Sequence, residues 1–158
     1  MDGFEKLTKN RDLKINVNFL YELTQGHRSM AKQSTTKKTI LVIEDDRNQL
    51  SALEQYLEKA GYLVITAING MEGLKLLESA QYDLVITDIN MPYVSGIGVI
   101  SALKGKHPHI PAVAITGFGE APLGAAKEKK ANVMLKKPLK MSTLIGHIEK
   151  LLYANTPI

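Results

Sequence analysis

The sequence predicts an α/β fold: a doubly wound parallel sheet of five strands in the order 2-1-3-4-5, with helices on both faces. Two observations predict it. From residue 39 onward, short apolar runs rich in Val and Ile alternate with longer stretches of helical spacing. Each run is too short for a helix and reads as a buried strand. Strands separated by helices form a parallel sheet through right-handed crossovers, and that leaves few strand orders.

The strand runs are residues 40–43 (ILVI), 63–66 (LVIT), 84–87 (LVIT), 112–115 (AVAI) and a weaker 133–135 (VML). The first helical stretch places Leu50, Leu53, Leu57 and Ala60 on one face, with Gly61 as its stop. In the second, Gly70 precedes Leu74, Leu76 and Leu77. The third carries Ile97, Ile100 and Leu103 and ends before Pro108. The last spans about 141–153, with Leu144, Ile145, Ile148, Leu151 and Leu152 as its stripe. Residues 120–130 differ: they contain Pro122, Gly124 and one large apolar side chain, Leu123. A short, mobile helix that buries little is expected there.

The polar stretch 30–38 (MAKQSTTKK) reads as a start or linker, and Met30 suits a natural initiator. Residues 1–38 are therefore an N-terminal extension, leader or linker, 39–154 the domain, and 155–158 a tail. The extension has one apolar patch, Ile15, Val17, Phe19, Leu20, Tyr21 and Leu23, which either packs on the domain or forms a short element. It also holds the charge imbalance: eight Lys/Arg against four Asp/Glu, where residues 39–158 hold twelve of each. The net charge of +4 is thus a property of a solvated leading segment. No zinc-finger spacing or basic–aromatic stripe argues for direct nucleic-acid binding.

The absence of cysteine excludes disulfides and thiolate metal sites. No run approaches the roughly 18 apolar residues of a membrane span, and the first 30 residues lack a secretory core. A cytoplasmic protein is the expectation. His27, His107, His109 and His147 show no metal-ligand spacing and read as surface residues; Met71, Met91, Met134 and Met141 read as packing.

In a doubly wound sheet the functional site lies at the carboxyl ends of the strands. Strand one ends in Glu44-Asp45-Asp46, strand three in Asp88 with Ile89-Asn90-Met91-Pro92 after it, strand four in Thr116-Gly117, and Lys136-Lys137-Pro138 follow strand five. Converging carboxylates about 4 Å apart repel by roughly 4 kcal/mol at an effective dielectric near 20. Oxygen ligands without His or Cys suit a hard divalent ion, and Mg²⁺ fits. A carboxylate nucleophile, a hydroxyl and an ammonium beside such a site make a phosphoryl-transfer centre, with Asp88 forming an aspartyl phosphate.

Four motifs in order, Leu41-Val42-Ile43-Glu44-Asp45-Asp46, then Asp83 through Pro92 with Gly96 soon after, then Ile115-Thr116-Gly117, then Leu135-Lys136-Lys137-Pro138, resemble a response-regulator receiver domain of bacterial two-component systems. The likeness covers about residues 39–153. It implies a flavodoxin-like fold and a chemotaxis-Y-like stand-alone receiver, or a receiver module of a larger regulator or relay protein. Asp88 would be the phosphoacceptor and Asp45 a direct metal ligand. Glu44 would act largely through metal-bound water, and Asn90 would offer its backbone carbonyl. Thr116 and Lys137 would contact phosphoryl oxygens, with a cis bond before Pro138. Implied partners are a sensor histidine kinase or histidine phosphotransfer protein, a downstream protein target, and a dimer formed on phosphorylation. Neither membrane nor nucleic acid is implied, and catalysis is limited to the domain's own phosphorylation and dephosphorylation.

Each residue also has a plainer reading. Asp46 reads as the cap of the first helix, and Lys136 as pointing to solvent. One position departs from the pattern: Met134 stands where many members carry Tyr or Phe. Thr116, Phe118 and Met134 are the switch candidates, with the glycine-flanked loop 117–120 as the moving part. A haloacid-dehalogenase-like phosphatase would need a second Asp where Asn90 stands. A flavin module would need phosphate donors where Glu44-Asp45-Asp46 carry the wrong sign.

Overall fold

In a computed structural model of the protein, the residues described are 36–79, 81–117 and 131–154. The chain divides into two units, Met1–Thr35 and Thr36–Ile158, and all described residues belong to the second. The expected helix at 120–130, the loop residue Phe118, His27 and the leading apolar patch lie outside them.

The elements run β1 (Thr39–Ile43), α1 (Arg47–Lys59), β2 (Leu63–Ala67), α2 (Gly70–Glu78), β3 (Leu84–Asp88), α3 (Gly96–Lys106), β4 (Ala112–Thr116), β5 (Val133–Lys136) and α4 (Met141–Tyr153). All five strands are parallel and their order is β2-β1-β3-β4-β5, as predicted. Alternate side chains of each strand enter opposite layers. Ile40 and Val42 join Leu84, Ile86, Val113 and Ile115 beneath α1 and α4, which contribute Leu50, Leu53, Leu57, Leu144 and Ile148. Leu41 and Ile43 join Val85, Ala112 and Ala114 beneath α2 and α3, which contribute Leu77, Val99, Ile100 and Leu103. Burying each such Leu or Ile stabilises the fold by about 1.5–3 kcal/mol.

Local signals set the helix starts. Asp46 caps α1, accepting from the Asn48 and Gln49 amides at 2.9 and 3.0 Å. Asn69 caps α2 through the Glu72 amide at 2.8 Å, and Ser95 caps α3. Gly61 follows α1 with φ +98°, the left-handed turn that favours glycine.

Two expectations change. Ala60 does not join the apolar face of α1; it is the exposed C-cap residue. The second strand is only partly buried: β2 is an edge strand in which Leu63 and Ile65 are exposed and Ala67 alone is fully buried.

Two long-range polar clamps fix strand starts. Asp83 accepts from the Thr39 amide and from Lys38 Nζ, both at 2.8 Å. The Asn132 side-chain carbonyl accepts from the Ala112 amide at 2.8 Å, while the Asn132 amide donates to the Ala112 carbonyl.

Candidate functional site

The carboxyl ends of β1 and β3, the central strands, bring Glu44, Asp45 and Asp88 together. One carboxylate oxygen from each lies within 4.8 Å of the others. Asp88 is the last residue of β3 and is buried; Glu44 follows β1 and is buried; Asp45, next along the turn, is exposed. The predicted acidic pocket is therefore formed, with one wall open to solvent.

Lys137 reaches in from the end of β5. Its Nζ donates to Glu44 Oε2 at 3.0 Å and to Asp88 Oδ2 at 3.1 Å. Its amide bonds to the Thr116 carbonyl, and the Lys137–Pro138 peptide is cis, as the resemblance implied. Burial alone would lower the Lys137 pKa, but its hydrogen bonds to Glu44 and Asp88 outweigh that and raise it, so the group is an ammonium. Burial pushes the Glu44 carboxyl up, and the Asp88 charge adds to this against the opposing Lys137 hydrogen bond. Lys136 points to solvent, as expected.

The backbone supports Asp88 closely. Its Oδ1 accepts from the Asn90 amide at 3.2 Å, and the Thr87 hydroxyl donates to its carbonyl at 2.9 Å. Gly96, the first residue of α3, lies against that same carbonyl: a Cβ at this position would overlap the Asp88 oxygen and meet Ile89 Cα at 2.9 Å. Thr87 was not singled out from the sequence, because a threonine inside an apolar run looks like strand packing. Asn90 itself is exposed at the rim. Thr116 is buried at the end of β4, its hydroxyl donating at 3.4 Å to the Gly117 carbonyl. Met134 is partly buried and packs on the layer beneath α2 and α3. Asp46 keeps to its cap; the Gln49 backbone hydrogen bond leads the lowering of its pKa. Beside Lys137 and Glu44, a cleft of about 380 Å³ opens between α1 and the start of α4, floored by Leu53 and Leu139.

The carboxylate cluster is an all-oxygen donor set, which fits a hard divalent cation such as Mg²⁺. Tyr93, on the loop after Pro92, is almost wholly exposed and has φ 65°. His107 is half-buried and His109 exposed, with an edge-to-face ring contact at 6.2 Å. Among the described residues, no helix is long and apolar enough to cross a membrane.

A five-stranded sheet of this order, with acidic groups, a threonine and a lysine at its carboxyl ends, defines a receiver-type signalling module. The family profile for the response regulator receiver domain matches residues 40–149, and the chain belongs to that family. The response regulator receiver protein CpdR of Brucella abortus is 34% identical over 118 residues, covering 74% of this chain and 98% of CpdR. Transcriptional regulatory protein PrrA of Mycobacterium tuberculosis is 30% identical over 118 residues, covering 74% of this chain but 51% of PrrA. The chain thus spans about half the length of that relative. Among solved structures, a receiver domain protein from Clostridium thermocellum superposes with a TM-score of 0.71 at 31% identity, covering 74% of this chain and 95% of that one. TrrA of Thermotoga maritima, in complex with Mg²⁺–BeF, gives 0.68 at 33% identity, covering 73% and 99%. Receiver domains are signalling modules of two-component systems rather than classical enzymes. They bind Mg²⁺ at the acidic pocket and interact with histidine kinases and downstream targets.

Proposed function

We propose that Asp88 accepts a phosphoryl group from a phosphohistidine donor, a sensor histidine kinase or histidine phosphotransfer protein, and that this chain relays the signal to a downstream protein. The observation that carries the reading is the Lys137 ammonium bridging the buried Glu44 and Asp88 carboxylates, with Asp45 beside them. An Asp88 oxygen attacks phosphorus, the N–P bond of the donor breaks, and the imidazole leaves with the bond's electron pair. The Asn90 amide holds the carboxylate in line. Lys137 Nζ, already at Oδ2, follows the incoming phosphoryl oxygens, and the Thr116 hydroxyl turns from the Gly117 carbonyl to donate to another.

Glu44, Asp45, Asp88 and the Asn90 backbone carbonyl would hold Mg²⁺. The chemistry this ion supplies when bound is charge neutralisation among the carboxylates and at the equatorial phosphoryl oxygens. The same groups confine catalysis to the domain's own phosphorylation and dephosphorylation. The reading places the receiver within 39–154, with 1–38 leading into it and 155–158 as a tail, and the protein in the cytoplasm. Switching runs through Thr116, Phe118 and Met134, and phosphorylation promotes a dimer.

Acetyl phosphate with Mg²⁺, read by intact mass, tests the central step. One added phosphoryl group is expected on the wild type and none on Asp88→Ala. Equal labelling of both would reject Asp88 as the acceptor.

A further inference from the structure

The peptide unit that joins Asp88 to Ile89 is held at both polar ends. Its N–H, on Ile89, donates to the Ile115 carbonyl of β4 at 2.8 Å. Its C=O, on Asp88, accepts from the Thr87 hydroxyl at 2.9 Å. The first bond continues the β3–β4 pairing and asks nothing of side chains. The second depends on one side chain. The β1–β3 ladder ends at the pair Ile43–Thr87, so the Asp88 carbonyl lies past its last rung. Gly96 stands against the same oxygen, which a Cβ at that position would overlap. Thr87 itself is fully buried. Valine has nearly its shape and would fill the strand position as well, so packing alone does not call for the hydroxyl.

The same peptide unit governs the Asp88 carboxylate. Two residues on, the Asn90 amide donates to Asp88 Oδ1 at 3.2 Å, closing a turn in which the side chain grips its own backbone. Rotation of the Asp88–Ile89 plane carries that amide with it, and the carboxylate oxygen follows. The rest of the loop leaves little room to absorb such a rotation. The Ile89 carbonyl accepts from the Met91 and Gly96 amides, each at 3.1 Å. Further along, the Val94 carbonyl lies against Gly70 of α2, where a Cβ would overlap it. The orientation of the carboxylate is therefore tied to whatever fixes the Asp88 carbonyl.

We propose that Thr87 is a positioning residue for phosphoryl transfer. Its hydroxyl, through the Asp88 carbonyl and the turn to Asn90, aims the Asp88 carboxylate at the incoming phosphorus. This role rests on the reading of Asp88 as phosphoacceptor. Thr87 shares a strand face with Val85 and Ile89, in the layer beneath α2 and α3. It acts through the backbone alone and adds no ligand to the acidic pocket. Without the hydroxyl, the buried carbonyl loses this donor, and an unmet polar group of that kind drives the chain to shift until it finds another.

Two substitutions in the full chain separate the hydroxyl from the methyl. Thr87→Val keeps the shape and removes the hydroxyl; Thr87→Ser keeps the hydroxyl and removes the methyl. Labelling by acetyl phosphate with saturating Mg²⁺, followed by intact mass, gives the rate. Thr87→Val slows labelling by about tenfold, since a reacting group misplaced by about 1 Å can lose about a hundredfold. Thr87→Ser stays within about twofold of the wild type. In the metal-free protein, hydrogen exchange of the Asn90 amide quickens about tenfold in Thr87→Val and is unchanged in Thr87→Ser. A packing role predicts the reverse order in both measurements, because it follows the methyl. A Thr87→Val variant that labels as fast as the wild type, one whose Asn90 amide exchanges as slowly, or a Thr87→Ser variant impaired as much as Thr87→Val overturns the positioning role and leaves Asp88 as acceptor. A wild type that takes up no phosphoryl group overturns the phosphoacceptor reading and this role together.

Discussion

Replacing Asp45 by Asn should make the metal-free protein more stable while removing its response to Mg²⁺. Asp45 is the exposed member of the carboxylate cluster and has no ion pair of its own among the described residues. It faces Glu44 and Asp88 at up to 4.8 Å. At that separation each repulsion is about 3.5 kcal/mol at a dielectric near 20 and about 0.9 kcal/mol in water. An exposed group sits near the water limit. Two such repulsions, less a comparable attraction to the Lys137 ammonium, leave a net gain of about 1 kcal/mol for Asp45→Asn. Asn also loses the anionic ligand that a hard cation needs. A tenfold excess of Mg²⁺ over its dissociation constant stabilises the wild type by about 1.4 kcal/mol, and the variant should show little of this. Urea unfolding in EDTA and in Mg²⁺ measures both effects. A variant less stable than the wild type in EDTA, or one with an undiminished Mg²⁺ increment, would refute the electrostatic reasoning.

Lys137→Met should destabilise the metal-free protein by about 2–4 kcal/mol in denaturant unfolding, because it leaves the buried Glu44 and Asp88 carboxylates without their counter-ion. A second change, Glu44→Gln, should recover part of that loss. Gly96→Ala should lower stability by about 1–3 kcal/mol by forcing α3 away from the Asp88 carbonyl; an unchanged urea midpoint would show that the loop yields freely. Asp46→Ala should lower the melting temperature at neutral pH. The native Asp46 carboxyl titrates below its ordinary value of 3.8. Its contribution is therefore complete above that value and is lost as the pH falls through the lower folded-state value. The gap between variant and wild type in a calorimetric pH series should accordingly close in acid.

The fold was legible because the signals that set it are local. Each apolar run carries enough Val and Ile to be a strand, and the Asp46 cap follows from one side chain before an apolar stripe. The site was legible because strand ends of a parallel sheet converge, so Glu44, Asp45, Asp88, Thr116 and Lys137 could be assigned to one mouth before any coordinate was known. What was not legible depends on partners distant in sequence. LVIT begins both β2 and β3, yet one is an edge strand with Leu63 and Ile65 exposed and the other is buried throughout. Asp83 and Asn132 look like turn residues until Thr39 and Ala112 are seen against them. That Lys137 bridges Glu44 as well as Asp88 depends on a cross-sheet distance that residue types do not encode.

Lys136 and Lys137 are chemically the same, and pairing register distinguishes the ammonium that meets Glu44 and Asp88 from the one in solvent. A strand shifted by one residue turns every side chain to the opposite face, so an offset of β5 against β4 would present the wrong lysine to the carboxylates. Asn132 guards against this at the strand's first rung, where its amide and its side chain together grip both polar atoms of Ala112. A carboxamide on the far end of the strand thus decides which of two twins meets the carboxylates.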